Sequence, residues 1–99
     1  MSAVVYSELA EDDLVNIWLA IAADSEQTAD RFIGELHDCA RRLADQPLMG
    51  RVRPDLGEQT RSFPYGRYLL IYRPMNGGVG IARFAYGGRD IERLVIPGG

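Results

Sequence analysis

From residue 10 to residue 45 of this 99-residue chain, apolar side chains return every three or four positions in two runs parted by Asp24-Ser25, a spacing that only helices satisfy. Leu14, Ile17, Trp18 and Ile21 form the first stripe, and Ala29, Phe32, Ile33, Leu36, Ala40 and Leu43 form the second. Glu11, Asp12 and Asp13 place negative charge where the first helix begins, and that helix is expected to reach about Ala23. Ser25 or Asp24 then supplies the oxygen that caps the second. So short a link predicts an antiparallel helical hairpin. Asp38 precedes Arg41 and Arg42 at helical spacing, giving ion pairs on a solvated face worth a few tenths of a kcal/mol. The segment Asp45-Gln46-Pro47-Leu48-Met49-Gly50 ends the helices, because proline cannot continue one and restricts the residue before it.

Outside the hairpin the period changes to that of strands. Val4-Val5-Tyr6-Ser7-Glu8-Leu9 is β-rich, and Gln59 to Phe63, Arg67 to Arg73 and Val79 to Tyr86 read as three more strands. Pro64-Tyr65-Gly66 and Pro74-Met75-Asn76-Gly77-Gly78 carry turn chemistry between them. The expected order is β-α-α-β-β-β, an α+β fold in which the two-helix hairpin packs on a mainly antiparallel four-stranded sheet, with residues 1–99 forming a single domain. Alternation puts Leu69 and Ile71 on one side with Arg67 and Arg73, and Tyr68, Leu70 and Tyr72 on the other. Either side could meet the helices. The ending of the chain, Ile91 to Gly99, carries no decisive pattern.

Composition removes several classes of function. No apolar run approaches the roughly 20 residues of a membrane span. One cysteine, Cys39, cannot form an internal disulfide, and the first residues lack the basic start and apolar stretch of a secretion signal, so a cytoplasmic setting is expected. His37 is the sole histidine and has no companion ligands, which leaves no metal site and no cofactor to expect; it reads as a surface residue, and Cys39 and Trp18 as filler and core. Gly77-Gly78-Val79-Gly80 is a hairpin turn, since no strand-loop-helix arrangement surrounds it.

Charge is distributed unevenly. Residues 1–50 hold ten acids against three arginines, while residues 51–99 hold eight arginines against four acids. All eleven cations are arginine, whose planar fork grips carboxylate or phosphate and stacks on rings. Arg61, Arg67, Arg73 and Arg83 fall on or beside the expected strands, Arg51, Arg53 and Arg89 flank them, and Tyr65, Tyr68, Tyr72 and Tyr86 are interspersed. This set is suited to a polyanion or an acidic protein segment, or else to internal pairing with Asp55, Glu58, Asp90 and helix acids.

The helix opening Ala10-Glu11-Asp12-Asp13-Leu14 with Ile17-Trp18, the segment Pro47-Leu48-Met49-Gly50-Arg51, the run from Arg61 to Arg73 and the closing Tyr86-Gly87-Gly88-Arg89-Asp90 resemble the ParE branch of the RelE/ParE toxin superfamily. The resemblance spans nearly the whole chain. It implies a type II toxin of the plasmid-stabilisation kind, held in check by a cognate ParD-like antitoxin, and it implies one of two actions. ParE-like members inhibit DNA gyrase by binding it; Arg61, Arg67, Arg73, Arg83, Arg89 and Tyr65 are then the candidate contacts for target or antitoxin. RelE-like members cut messenger RNA on the ribosome, which would assign Arg67, Arg83 and Tyr86 to catalysis. RNA cleavage needs a proton acceptor and donor beside the phosphate, and the sequence offers cations but few proton carriers. Ala85 stands about where some nuclease relatives carry histidine, and Tyr86 where the ParE pattern often does. A toxin-like fold kept only for binding its antitoxin is a third possibility.

Overall fold

The computed structural model describes residues 2–88 and 91–98. Strand β1 (Ala3–Tyr6) leads into helices α1 (Glu8–Ala22) and α2 (Glu26–Asp45), followed by β2 (Arg51–Val52), β3 (Arg61–Tyr65), β4 (Tyr68–Met75), β5 (Gly78–Tyr86) and one turn of 3-10 helix at Ile91–Arg93. The α+β class and element order agree with the sequence reading, but the sheet has five strands in the order β1-β5-β4-β3-β2. The additional strand, β2, is a two-residue pairing of Arg51 and Val52 with Ser62 and Arg61. Two residues carry no alternation to detect.

One serine makes the first transition. Ser7 N–H donates to the Ile81 carbonyl, completing β1, and its hydroxyl accepts from Ala10 N–H as the N-cap of α1 and donates to the Ala82 carbonyl. The strand therefore stops at Tyr6, and the residues Glu8 and Leu9, expected to be extended, are helical. Ser25 caps α2 in the same way through Thr28 N–H.

β1 lies parallel to β5, and β5, β4 and β3 form an antiparallel meander. Tyr68, Leu70 and Tyr72 face the helices, where Ile17, Leu36, Leu43 and Phe84 join the main core. Leu69 and Ile71 face the other way, under Leu56, Leu94 and Ile96. Register slips at Ile71/Tyr72, whose partners on β5 are Arg83 and Ile81, so Ala82 is the extra residue of a bulge. Tyr72 is fully buried; its hydroxyl donates to the Pro47 carbonyl and accepts from Gly50 N–H, both at 2.8 Å. The proline loop is thus tied to the sheet.

Trp18, expected in the core, is half-buried, and its indole N–H reaches Asp30 of α2 at 2.7 Å. The ring covers the seam of the hairpin.

Close approach of β1 and β5 requires Gly78, where a Cβ would fall 1.9 Å from the Ala3 carbonyl oxygen. Neither backbone can yield without breaking the parallel pairing. Gly78→Ala should therefore destabilise by about 1–3 kcal/mol in urea unfolding, a cost of overpacking.

Candidate functional site

The arginines fall into two groups once their partners are traced. Arg83 is buried: Nε and Nη2 form a two-pronged bond with the Asp13 carboxylate at 2.7 and 2.8 Å, and Nη1 donates to the Val95 carbonyl at 2.8 Å. The bond with Asp13 raises its already high pKa, so it stays charged. The same carboxylate accepts from Phe84 N–H at 3.0 Å, supplying a partner on β5 where β1 has ended. Arg61 donates to the carbonyls of Leu48 and Gly50. Arg73 donates to those of Glu58 and Pro97, leaving Nη2 buried without a partner among the described residues. Arg53 is chelated by Asp55, whose carboxyl is held below its ordinary range chiefly by that hydrogen bond. These four are structural fasteners.

Arg67 differs. It sits exposed in the β3–β4 turn, and its guanidinium has no partner among the described residues. Gly66 beside it takes a left-handed φ of 58°, which glycine adopts without strain. The Arg67 carbonyl accepts from Gly87 N–H at 2.7 Å, drawing the end of β5 alongside. A shallow concavity of about 380 Å³ results, lined by Arg67, Tyr68, Tyr86 and the glycines 66, 87 and 88. Tyr86 is 45% exposed and meets Tyr68 edge to face at 5.8 Å. Phe32 of α2 packs against Tyr68 and Tyr65 behind them, and the Tyr65 hydroxyl donates to Glu35 at 2.9 Å. Arg67, Tyr68 and Tyr86 therefore present a cation, without a partner among the described residues, beside two ring surfaces.

Of the three residues a nuclease would use, two share this concavity. Arg83 does not join them: three positions from Tyr86 on β5, it projects from the opposite face, with its guanidinium held by Asp13 and Val95. Arg61 and Arg73 are likewise committed to backbone carbonyls, and Arg89 lies outside the described residues. His37, expected on the surface, is half-buried and packs edge to face on Tyr6, with Tyr6 Oη 2.7 Å from its Nδ1. Among the described residues no group of His, Cys, Asp or Glu could hold a metal ion. Sequence reading missed Asp13 as the partner of Arg83. Its spacing carried a signal, because Asp13 lies three after Ala10 and four before Ile17, the two buried residues of α1.

The profile of the ParE toxin of type II toxin-antitoxin systems, parDE, matches residues 4–91. The chain belongs to the ParE toxin family. A solved structure from the chromosomal ParDE toxin-antitoxin system of P. aeruginosa superposes with a TM-score of 0.71 at 16% identity, covering 87% of this chain and 96% of that one. At such identity the likeness establishes a shared ParE fold. None of the curated proteins compared with the chain matches it. Among the described residues, no helix of this ParE-family chain is long and apolar enough to cross a membrane.

Two measurements test the site's chemistry. Asp13→Asn strands a buried arginine charge and should cost about 3–5 kcal/mol in urea unfolding, whereas Asp13→Leu combined with Arg83→Met should recover part of it, the rest being the cost of leaving Phe84 N–H without its acceptor. Tyr65 keeps its proton above the ordinary tyrosine range because its hydroxyl bonds to Glu35, as an NMR titration should show, and Glu35→Gln should bring it down. The sign follows: the bond stabilises below the unfolded tyrosine pKa of about 10 and is lost as pH rises through the folded value.

Proposed function

We infer that this ParE-family chain inhibits DNA gyrase by binding it, and that a cognate ParD-like antitoxin relieves the inhibition by covering the same end of the sheet. The observation carrying this reading is Arg67, a cation with no partner among the described residues that lies beside Tyr68 and Tyr86, in a fold where Arg53, Arg61, Arg73 and Arg83 are bound to its own carbonyls and carboxylates. A cation flanked by exposed rings is the composition of a protein-binding hot spot, in which tyrosine and arginine dominate. An acidic amphipathic antitoxin segment could set a carboxylate on Arg67 and an apolar side chain against Tyr86.

Ribosome-dependent cleavage of messenger RNA is the second reading, favoured by the nearness of Arg67 to Tyr86 and opposed by the engagement of Arg83. Stabilising a phosphorane-like charge would require Arg83 to abandon a buried carboxylate, at a cost of several kcal/mol.

A supercoiling assay with purified toxin and gyrase from the source organism tests the first reading. Supercoiling should be inhibited, and Arg67→Glu and Tyr86→Ala, both at exposed positions, should each weaken inhibition about tenfold or more without shifting the melting temperature. Unaffected gyrase, with transcripts cut in a translating extract, would transfer the assignment to the nuclease reading.

A further inference from the structure

Helix α1 carries more apolar surface than the fold consumes. Residues 17–23 are Ile17-Trp18-Leu19-Ala20-Ile21-Ala22-Ala23 without a polar interruption. A helix apolar around its whole circumference is ordinarily buried on every side. Here the core takes Leu14, Ile17 and Ile21, while Val15 and Leu19, one turn apart on the outward face, remain 58% and 57% exposed. They form an apolar stripe that the described residues leave uncovered.

Along α1 itself the charge has one sign. Residues 8–24 contain five acids and no cation. Asp13 is committed to Arg83, but Glu8 and Glu11 have no ion-pair partner among the described residues. By helical rotation Glu8, Glu11 and Asp12 continue the line of Val15 and Leu19 toward the N-terminus of α1, and Asp24 lies past the other end. Asp30 of α2 borders the stripe across Trp18.

We propose that the outward face of α1 is the docking surface for a cationic amphipathic helix, which lays apolar side chains on Val15 and Leu19 and aligns arginine or lysine with Glu8, Glu11 and Asp12. Pairing with α1 of a second copy is disfavoured by the same charges, since either direction of approach brings acid against acid. The surface is distinct from the concavity at Arg67 and does not depend on what that concavity binds. An acidic segment suited to Arg67 is repelled from α1, so the two faces select partner segments of opposite charge.

The probes are two synthetic amphipathic peptides of roughly 18 residues, long enough for several helical turns. They share one leucine stripe and differ only in arginine or glutamate at the flanking positions. Binding to the full chain is followed by fluorescence anisotropy, and oligomeric state by light scattering. The arginine peptide should bind at least about tenfold more tightly than its glutamate twin, with the preference shrinking at higher salt. Val15→Asp with Leu19→Asp should abolish binding while leaving the melting temperature in place, and Glu8→Arg with Glu11→Arg should invert the preference. Equal binding of both peptides, arginine-peptide binding that survives the two aspartates, or a stable dimer dissolved by Leu19→Asp would each overturn the proposal.

Discussion

The Asp13 carboxylate is the junction on which this architecture turns. It meets three parts of the molecule at once: α1, on which it resides, the β5 backbone through Phe84 N–H, and through Arg83 the segment holding Val95. β1 stops at Tyr6, and past that point the edge of β5 would expose unpaired backbone. A carboxylate on the adjoining helix closes that edge, and the arginine that neutralises it fastens the chain's last described segment to the sheet. Both partners are about nine-tenths buried, so geometry and complete hydrogen bonding, not the ion pair by itself, make the arrangement tolerable.

Arginine serves this protein chiefly as carpentry. A guanidinium can satisfy two or three carbonyls in different directions, and Arg61 and Arg73 use that ability to hold loops whose own backbone offers no secondary structure. Four of the eight arginines in the second half of the sequence, Arg53, Arg61, Arg73 and Arg83, are thus used for internal fastening. Among the others, which include the exposed Arg51 of β2, Arg67 stands out because it lies beside Tyr68 and Tyr86.

Periodicity made the helical hairpin legible: the stripes from Leu14 to Ile21 and from Ala29 to Leu43 correspond to the packed faces of α1 and α2. The three long strands were legible for the same reason, though Pro64 and Tyr65 of one expected turn and Pro74, Met75 and Gly78 of the other lie inside strands. Proline fits at position 64 because β2 pairs only with Arg61 and Ser62, leaving no neighbour on that side to want its N–H. Strand β2 and the side of the sheet that meets the helices depend on pairing between distant residues, which local pattern does not encode. The candidate site was legible as residue types and not as roles. Arg67 and Arg83 look alike in the sequence; only a carboxylate 70 positions from Arg83 distinguishes them.

Because the first strand lies beside the last, its pairing joins residues about 75 positions apart, from Ala3 with Gly78 to Tyr6 with Ile81. Contacts of such long range form late, after local helices. During synthesis the helical hairpin can assemble early, yet its apolar faces have no sheet to rest on until β5 has been made. A chain ending before residue 78 lacks β5 altogether, and with it Arg83, the partner of Asp13, and Gly87, the neighbour of the Arg67 turn. The native fold is therefore out of reach until nearly all of the described sequence has been made.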